Sequence, residues 1–172
     1  MQNAESTTDR RFRQCMSRYA TGVSVLACGD TETPAAMTAN SLTSVSLDPP
    51  LILFCVRNEG RFLDEVLTHP DFSVNVLSAN QIEVSQRYAG RGDGLPTPQW
   101  SDLHGVPVLQ DSQASLVCRL HEHYLAGDHT IVIGRVLHTV QATDVDAALV
   151  FLGGRYHRLA PQSTQESPQP CA

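Results

Sequence analysis

The longest regular pattern in this sequence is a pair of strand-like runs that meet at a short turn. It reads SLVCRLHEHYLAGDHTIVIGRVLHTV and spans residues 115–140. Apolar and β-branched residues recur through both halves, and Gly127 and Asp128 supply turn chemistry between them. Two strands joined by so short a turn must pair antiparallel. The chain is therefore expected to be built around a long antiparallel hairpin.

Shorter strand-like runs precede this hairpin, namely VSVLAC, LILFCV and FSVNVL, which begin at residues 23, 51 and 72. Helical spacing is confined to short stretches, of which residues 8–22 are the longest, with an apolar face at residues 12–20. Many strands and few helices favour an antiparallel sheet that closes on itself. The sequence predicts a mainly β fold, a small β-barrel with a few flanking helices.

The domain is predicted to cover residues 9–160, after a flexible N-terminus at residues 1–8. Residues 161–172 are polar and proline-rich, and we expect a disordered tail. Residues 90–105 lack periodicity and contain many glycines and prolines, which predicts a surface loop. A short helical turn is expected near residues 144–148.

Composition excludes several classes of function. The 172 residues carry a formal net charge of -6 and no basic run, which argues against a nucleic-acid partner. All twelve basic residues are arginine, so a lysine Schiff base and a P-loop lysine are excluded. No apolar run approaches the ~20 residues that span a bilayer, and we expect no membrane segment.

The five cysteines are odd in number and lack C-x-x-C spacing. This usage is typical of reduced thiols, so we expect a cytoplasmic protein and no metal cluster built from cysteine. His121 and His123 would share one face of a strand, with His129 nearby, so that a zinc or iron site is conceivable. Arg119 shares that face and a fourth ligand is not evident, so no metal site is predicted.

Small and hydroxyl-bearing side chains crowd the segment MTANSLTSVSLDPP, residues 37–50, just before the apolar run LILFCV. Short side chains such as Ala39, Ser41 and Ser44 allow a planar heteroaromatic ligand to approach the backbone closely. An exposed strand rich in Thr and Ser that ends at two prolines explains the same residues. The residues alone leave both interpretations open.

Four blocks of the chain, in this order and spacing, resemble the flavin reductase family. They are FRQCMSRYATGVSVLAC, MTANSLTSVSLDPPLILFCV, FSVNVLSANQIEVSQRYAG and GDHTIVIGRV, and the likeness extends over about residues 12–159. The resemblance implies an FMN-binding split barrel that acts as an NAD(P)H:flavin oxidoreductase, with NADH or NADPH reducing FMN or FAD. It also implies a homodimer and a partner flavin-dependent monooxygenase that receives the reduced flavin. Residues 12–20 and 90–105 are the candidate dimer contacts.

The resemblance further implies the residues of the site. The expected flavin contacts are Thr38, Ala39, Asn40, Ser41, Ser44, Val45, Ser46, Arg57, Arg61, Gln81, Ser85, Arg87 and Tyr88. The expected contacts to the pyridine nucleotide are His129, Gly153, Gly154, Arg155 and Tyr156. Family members usually have a Ser-rich stretch near the flavin phosphate, where this chain reads RNEGR, so Arg57 and Arg61 are its available cations. His129 is expected to position the nicotinamide or tune the local charge.

Two other functions stay open. A split-barrel flavoprotein could retain its flavin and act directly on an organic substrate, because residues 151–156, FLGGRY, depart from the family pattern. A non-catalytic barrel could instead bind flavin, haem or a metal through HEHYLAGDH, residues 121–129.

Overall fold

The structure is a computed structural model that describes residues 7–143 and 147–159. The tail predicted at residues 161–172 lies outside this described part, as do residues 1–6 of the predicted flexible start and most of the helical turn expected near residues 144–148. Of that turn, Ala147 and Ala148 are described, and Ala148 begins a strand.

The described residues form twelve strands, three α-helices and one π-helical turn, joined by loops. The helices are α1 (Thr7–Met16), α2 (Arg61–Thr68) and α3 (Ile82–Gln86), and α3 continues into a π-helical turn, Arg87–Arg91. The strands are β1 (Thr21–Gly22), β2 (Ser24–Cys28), β3 (Ala35–Ala39), β4 (Thr43–Leu47), β5 (Pro50–Arg57), β6 (Asp71–Val76), β7 (Trp100–Leu103), β8 (Val106–Leu109), β9 (Ala114–Ala126), β10 (His129–Gln141), β11 (Ala148–Leu152) and β12 (Arg155–Leu159).

All the strand pairs are antiparallel, and seven strands form the main sheet in the order β3-β2-β6-β9-β10-β5-β4. The long hairpin is confirmed as β9 and β10, which pair from His129 opposite Ala126 to Gln141 opposite Ala114. The edge strands β3 and β4 follow each other in the chain with three residues between them. The Cα atoms of Ala39 and Thr43, which end β3 and begin β4, can therefore be at most about 14 Å apart. The sheet must curl until its two edges come this close. The predicted antiparallel barrel is thereby confirmed, and it is split between β3 and β4.

The core consists of two apolar clusters. One lies between the main sheet and α2 and contains Phe54 and Phe72, whose rings meet edge to face with centroids 5.4 Å apart. The other contains Val25, Leu77 and Leu149 and joins the main sheet to the small sheet β1-β11-β12. The two clusters thus pack α2 and the small sheet against the main sheet.

Asn75 of β6 is a buried polar residue with a full set of partners. Its amide nitrogen donates to the Val25 carbonyl at 3.0 Å and to the Ser73 hydroxyl at 2.9 Å. Its carbonyl oxygen accepts from the Leu109 backbone N–H at 3.0 Å and from the Ser115 hydroxyl at 2.9 Å. Because every donor and acceptor is satisfied, the hydrogen bonds of this side chain offset the cost of its burial and link β6 to β2, β8 and β9.

Two of the expectations about local structure were wrong. Helix α1 ends at Met16 instead of continuing toward residue 22, and it buries none of its residues. Residues 90–105 are not a loop throughout, because β7 begins at Trp100 and pairs with β8. His104 and Gly105 form the two-residue turn of this hairpin, with φ values of 57° and 80°. The glycine at the second position of this turn was the signal in the sequence.

The paired histidines differ from expectation in one respect, the strand face that they were expected to share. His121 and His123 are exposed, and the register of β9 against β10 shifts so that Glu122 faces Ile133 while Leu120 faces Gly134. His121 thus lies at a β-bulge, where the alternation behind the predicted shared face is broken. In the described ranges, no cluster of three or more His, Cys, Asp or Glu residues could hold a metal ion. None of the helices in those ranges has the length and apolar character needed to cross a membrane.

Candidate functional site

An open groove of about 870 Å³ lies along the split of the barrel. Its lining comes from residues 36–41, which are β3 and the start of its connection to β4, and from residues 55–57 at the end of β5. The first residues of α2, the π-helical turn and His129 complete it. The groove therefore gathers chain segments that lie far apart in the sequence.

Two hydroxyl groups hold the β3 wall of this groove in place. The Thr38 hydroxyl donates to the Ser85 carbonyl at 2.7 Å, and the Ser41 hydroxyl accepts from the Cys55 backbone N–H at 2.9 Å. Each hydroxyl keeps part of its capacity, since Thr38 still offers a lone pair and Ser41 still offers its proton. The wall can thus both accept from and donate to a polar ring edge.

Small residues keep the groove wide at the same wall. Ala36 and Ala39 line it, and Gly90 of the π-helical turn has a φ of +81° with open space where a Cβ would lie. A flat aromatic ligand can therefore approach the backbone closely.

Two arginines supply positive charge at the α2 end of the groove. Arg57 ends β5 and Arg61 begins α2, and both line the groove. The Arg61 side chain is 90% exposed and lies 3.6 Å from the Glu65 carboxylate. Guanidinium groups of this kind bind phosphate in a bidentate manner.

Asn58 fixes the turn between these arginines to the turn of the long hairpin. Its backbone N–H donates to the Asp128 carbonyl and its side-chain amide to the Gly127 carbonyl, both at 3.0 Å. Its side-chain oxygen accepts from the Thr130 hydroxyl at 2.8 Å. The sequence analysis missed Asn58, because a single Asn after a strand is typical of any turn.

His129, the first residue of β10, is paired with Arg57 on the adjacent strand β5. Its Nδ1 atom lies 2.8 Å from Oδ1 of Asp128. This hydrogen bond, then the charge of His129 and, more weakly, that of Arg57 hold the pKa of Asp128 below its usual range. The carboxylate orients the imidazole ring and leaves Nε2 outside this hydrogen bond.

A small cavity of about 160 Å³ adjoins the groove and shares Thr38, Asn40 and Ala89 with it. The Ser85 and Tyr156 hydroxyls lie in its lining, 2.8 Å apart. Tyr156 of β12 is thereby brought to the edge of the groove.

The groove brings together eight of the predicted site residues, namely Thr38, Ala39, Asn40, Ser41, Arg57, Arg61, Tyr88 and His129. It also contains residues that the sequence analysis did not select, among them Ala36, Met37, Cys55 and Phe62. Cys55 was considered only as one of five reduced thiols, because nothing in the run LILFCV distinguishes its alternate faces.

Other predicted residues lie outside the groove lining. Ser44 and Val45 are exposed on β4, as are Gly153, Gly154 and Arg155 at the β11–β12 turn, whereas Ser46 is half-buried. Gln81 lies in a different cavity, where it accepts from the Ser78 N–H and donates to the Gln110 carbonyl. Arg87 donates to the Leu95 carbonyl at 2.7 Å. Contacts of these residues with a flavin or a nucleotide stay predictions.

Comparison with known proteins bears on this groove. A family model described as "Flavin reductase like domain" matches residues 16–160. The NADH-dependent FAD reductase of Streptomyces globisporus is 35% identical over 162 residues, which cover 90% of this chain and 88% of the relative. The FMN reductase (NADH) SmoA of Agrobacterium fabrum is 36% identical over 154 residues, which cover 89% and 87%. The solved structure of the styrene monooxygenase flavin reductase (SMOB) from Pseudomonas putida S12 superposes with a TM-score of 0.78 at 31% identity, covering 93% of this chain and 99% of that chain.

Proposed function

The chain belongs to the flavin reductase-like family, and we propose that it supplies reduced flavin to a partner flavin-dependent monooxygenase. It is an NAD(P)H:flavin oxidoreductase and uses FMN or FAD with NADH or NADPH. The observation that carries the proposal is the single groove that joins the small-residue wall of β3, the cations Arg57 and Arg61, and His129. A planar ring with an anionic tail fits this combination of shape and charge.

When bound, the nicotinamide and the flavin would supply the redox chemistry, which is a hydride transfer. The chain's own residues position the two ligands and stabilise the negative charge that develops on the flavin. Arg57 and Arg61 hold the phosphate, while the proton that Ser41 still offers is available to the ring edge that gains negative charge. His129, oriented by Asp128, positions the nicotinamide.

The proposal is tested by mixing the protein with NADH and either FMN or FAD in the absence of oxygen. We expect the flavin absorbance to bleach in the presence of catalytic amounts of protein. No bleaching with either flavin, with NADH or with NADPH, would contradict the proposed function.

The open form of the groove favours a flavin that exchanges with solution over one that is retained. Equilibrium dialysis under turnover distinguishes the two. Loss of flavin with sustained activity on added flavin supports the reductase, whereas flavin that never leaves favours a flavoprotein acting directly on an organic substrate.

We place the protein in the cytoplasm, because its thiols fit a reducing compartment. The four described cysteines are free, and burial raises the pKa of Cys28 and of Cys118 to about 12, the charge of Glu65 contributing at Cys28. Such thiols stay protonated and inert.

We also propose that the protein is a homodimer. Helix α1 has no buried residue, and the apolar side chains Phe12, Met16 and Tyr19 around its end are 65%, 50% and 68% exposed. A second copy of the chain would cover this surface. Light scattering tests the proposal: a dimeric wild type and a monomeric Phe12→Glu variant support it, and a monomeric wild type contradicts it.

A further inference from the structure

A second cavity opens beside the cationic end of the groove. Its volume is about 470 Å³, and it shares Ala36, Arg61, Phe62 and Tyr88 with the groove. Because these residues line both spaces, the two cavities adjoin at the Arg61 side chain. A flavin whose phosphate lies at Arg57 and Arg61 would therefore end at the entrance of the second cavity.

The polar groups of the second cavity suit a ribose and a base. Glu65 lies between Arg61 and His69, with its carboxylate oxygens 3.6 Å from Arg61 Nε and 3.9 Å from His69 Nε2. A carboxylate accepts hydrogen bonds from the vicinal hydroxyls of a ribose, and an imidazole offers a ring face and a nitrogen to a base. Asp30 is occupied instead by its own turn, where it accepts from the Glu32 and Thr33 backbone N–H groups at 2.9 and 2.8 Å.

The shape of the cavity suits a flat ring. Ala35, Ala36 and Pro34 form part of its lining, and a Cβ at Gly29 would lie 3.8 Å from Cδ2 of His69. That distance is an ordinary van der Waals contact, and glycine is favoured at this position by its φ of +84°.

Resting on the proposed function, we propose that this cavity binds the adenosine half of FAD, with the pyrophosphate at Arg61, and that the enzyme prefers FAD to FMN. An adenosine is also present in NADH, so the chemistry of the cavity fits both dinucleotides. The FAD adenosine is favoured because it is linked covalently to the phosphate that Arg57 and Arg61 hold, at the entrance of the cavity. Relatives reduce FAD in one case and FMN in another, so family membership does not decide the preference.

A matched pair of variants tests the proposal. Thr33 is exposed and lines the second cavity, so Thr33→Phe would fill the space in front of it. Thr68 is exposed at the end of α2, outside the lining of either cavity, and Thr68→Phe is the control. We expect the wild type to favour FAD over FMN in kcat/KM by about tenfold, Thr33→Phe to lose this ratio, and Thr68→Phe to keep it. A wild-type ratio near one overturns the proposal, and so does a ratio that Thr33→Phe leaves unchanged.

AMP serves as a probe on the unmodified enzyme, so that the result does not depend on the folding of a variant. We expect AMP to compete with FAD and, when FMN is the acceptor, not to compete with NADH. Competition with NADH would assign the cavity to the pyridine nucleotide and overturn the proposal, as would an absence of any AMP inhibition.

Failure of the reductase function is separable from failure of this proposal. If NADH and NADPH reduce neither flavin, the proposed function is wrong. The affinities of FAD and FMN, measured by the change in flavin fluorescence on binding, then decide the role of the cavity. Tighter binding of FAD supports it, and equal affinities overturn it.

Discussion

The Nδ1 atom of His129 lies 2.8 Å from Oδ1 of Asp128, and His129 lies at the groove opposite Arg57 of the neighbouring strand. Asp128 is 88% exposed, whereas the His129 side chain is 37% exposed and lines the groove. The pair therefore has an outer member that orients and an inner member that can contact a ligand. Asn58 holds the turn beneath them through the Gly127 and Asp128 carbonyls.

Replacing His129 by alanine is expected to impair the use of NADH. Its ring contributes to the nicotinamide position, so kcat/KM for NADH should fall about tenfold to a hundredfold, or ~1.4–2.8 kcal/mol of transition-state stabilisation. Flavin affinity should change little, because residues 36–41, Arg57 and Arg61 provide half of the residues that line the groove. Steady-state kinetics with separate flavin titrations measure both quantities.

The control is His123→Ala, because His123 is an exposed histidine of the same hairpin. Unchanged kinetics in His129→Ala would refute the nicotinamide role, and lost flavin binding would place the ring elsewhere.

Asp128→Asn should act through His129. The variant keeps an oxygen that can accept from Nδ1 but lacks the negative charge, so we expect kcat/KM for NADH to fall by about threefold to tenfold. The double variant with His129→Ala should be no worse than His129→Ala alone, because the two residues work as one unit. Additive losses in this cycle would show that Asp128 has a separate role.

The two arginines should matter for the phosphate and not for the ring. Riboflavin has the same ring as FMN but no phosphate, so it is a built-in control. We expect Arg57→Gln and Arg61→Gln each to weaken FMN binding by about tenfold while riboflavin binding changes little. The loss should shrink at high salt, which screens exposed charges. Equal losses for both flavins would mean that these side chains support the groove and do not bind the phosphate.

Periodicity predicted the barrel for a physical reason, whereas half of the groove residues were predicted from the resemblance to the flavin reductase family. The hairpin at β9 and β10 is a local pattern with strict periodicity, and such patterns survive in the folded protein. Asn58 and the second cavity were missed because each depends on residues that meet only after folding. Glu65 and His69 share one helix end, but Cys28 and Thr33 reach the same cavity from β2 and its following turn. The apolar face of residues 12–20 was predicted as a candidate dimer contact, and its side chains Phe12, Met16 and Tyr19 are exposed, but a helical pattern does not specify what covers them.

Acid should selectively weaken the link between β6 and β9. Arg119 donates to both carboxylate oxygens of Asp71 at 2.7 and 2.8 Å, and this hydrogen bonding holds the pKa of Asp71 below its usual range. A lowered pKa in the folded state stabilises the protein above the ordinary carboxyl pKa of about 4, and this contribution is lost as the pH falls through the lowered value. Asp71→Asn should therefore lower Tm slightly near neutral pH, with the difference from wild type vanishing in strong acid. Asp93→Asn, an exposed residue outside the strands, is the control, and a pH-independent difference would contradict the assignment.

Gly134 should tolerate no side chain, because the ring of Phe72 occupies the space above it. A Cβ at Gly134 would lie 2.5 Å from Cζ of Phe72 and 3.3 Å from Cβ of Cys118. Phe72 is fully buried and packs edge to face on Phe54, so its ring has little room to retreat. Gly134→Ala should thus lower the free energy of unfolding by about 1–3 kcal/mol, measured by denaturant titration.

Gly22→Ala is the matched control, since Gly22 also lies in a strand but a Cβ there would meet nothing within 4 Å beyond its chain neighbours. The double variant Gly134→Ala with Phe72→Leu should lose less stability relative to Phe72→Leu alone than Gly134→Ala loses in the wild type, because the smaller side chain yields the space. Equal losses in both backgrounds would show that the constraint at Gly134 comes from the strand backbone and not from the Phe72 ring.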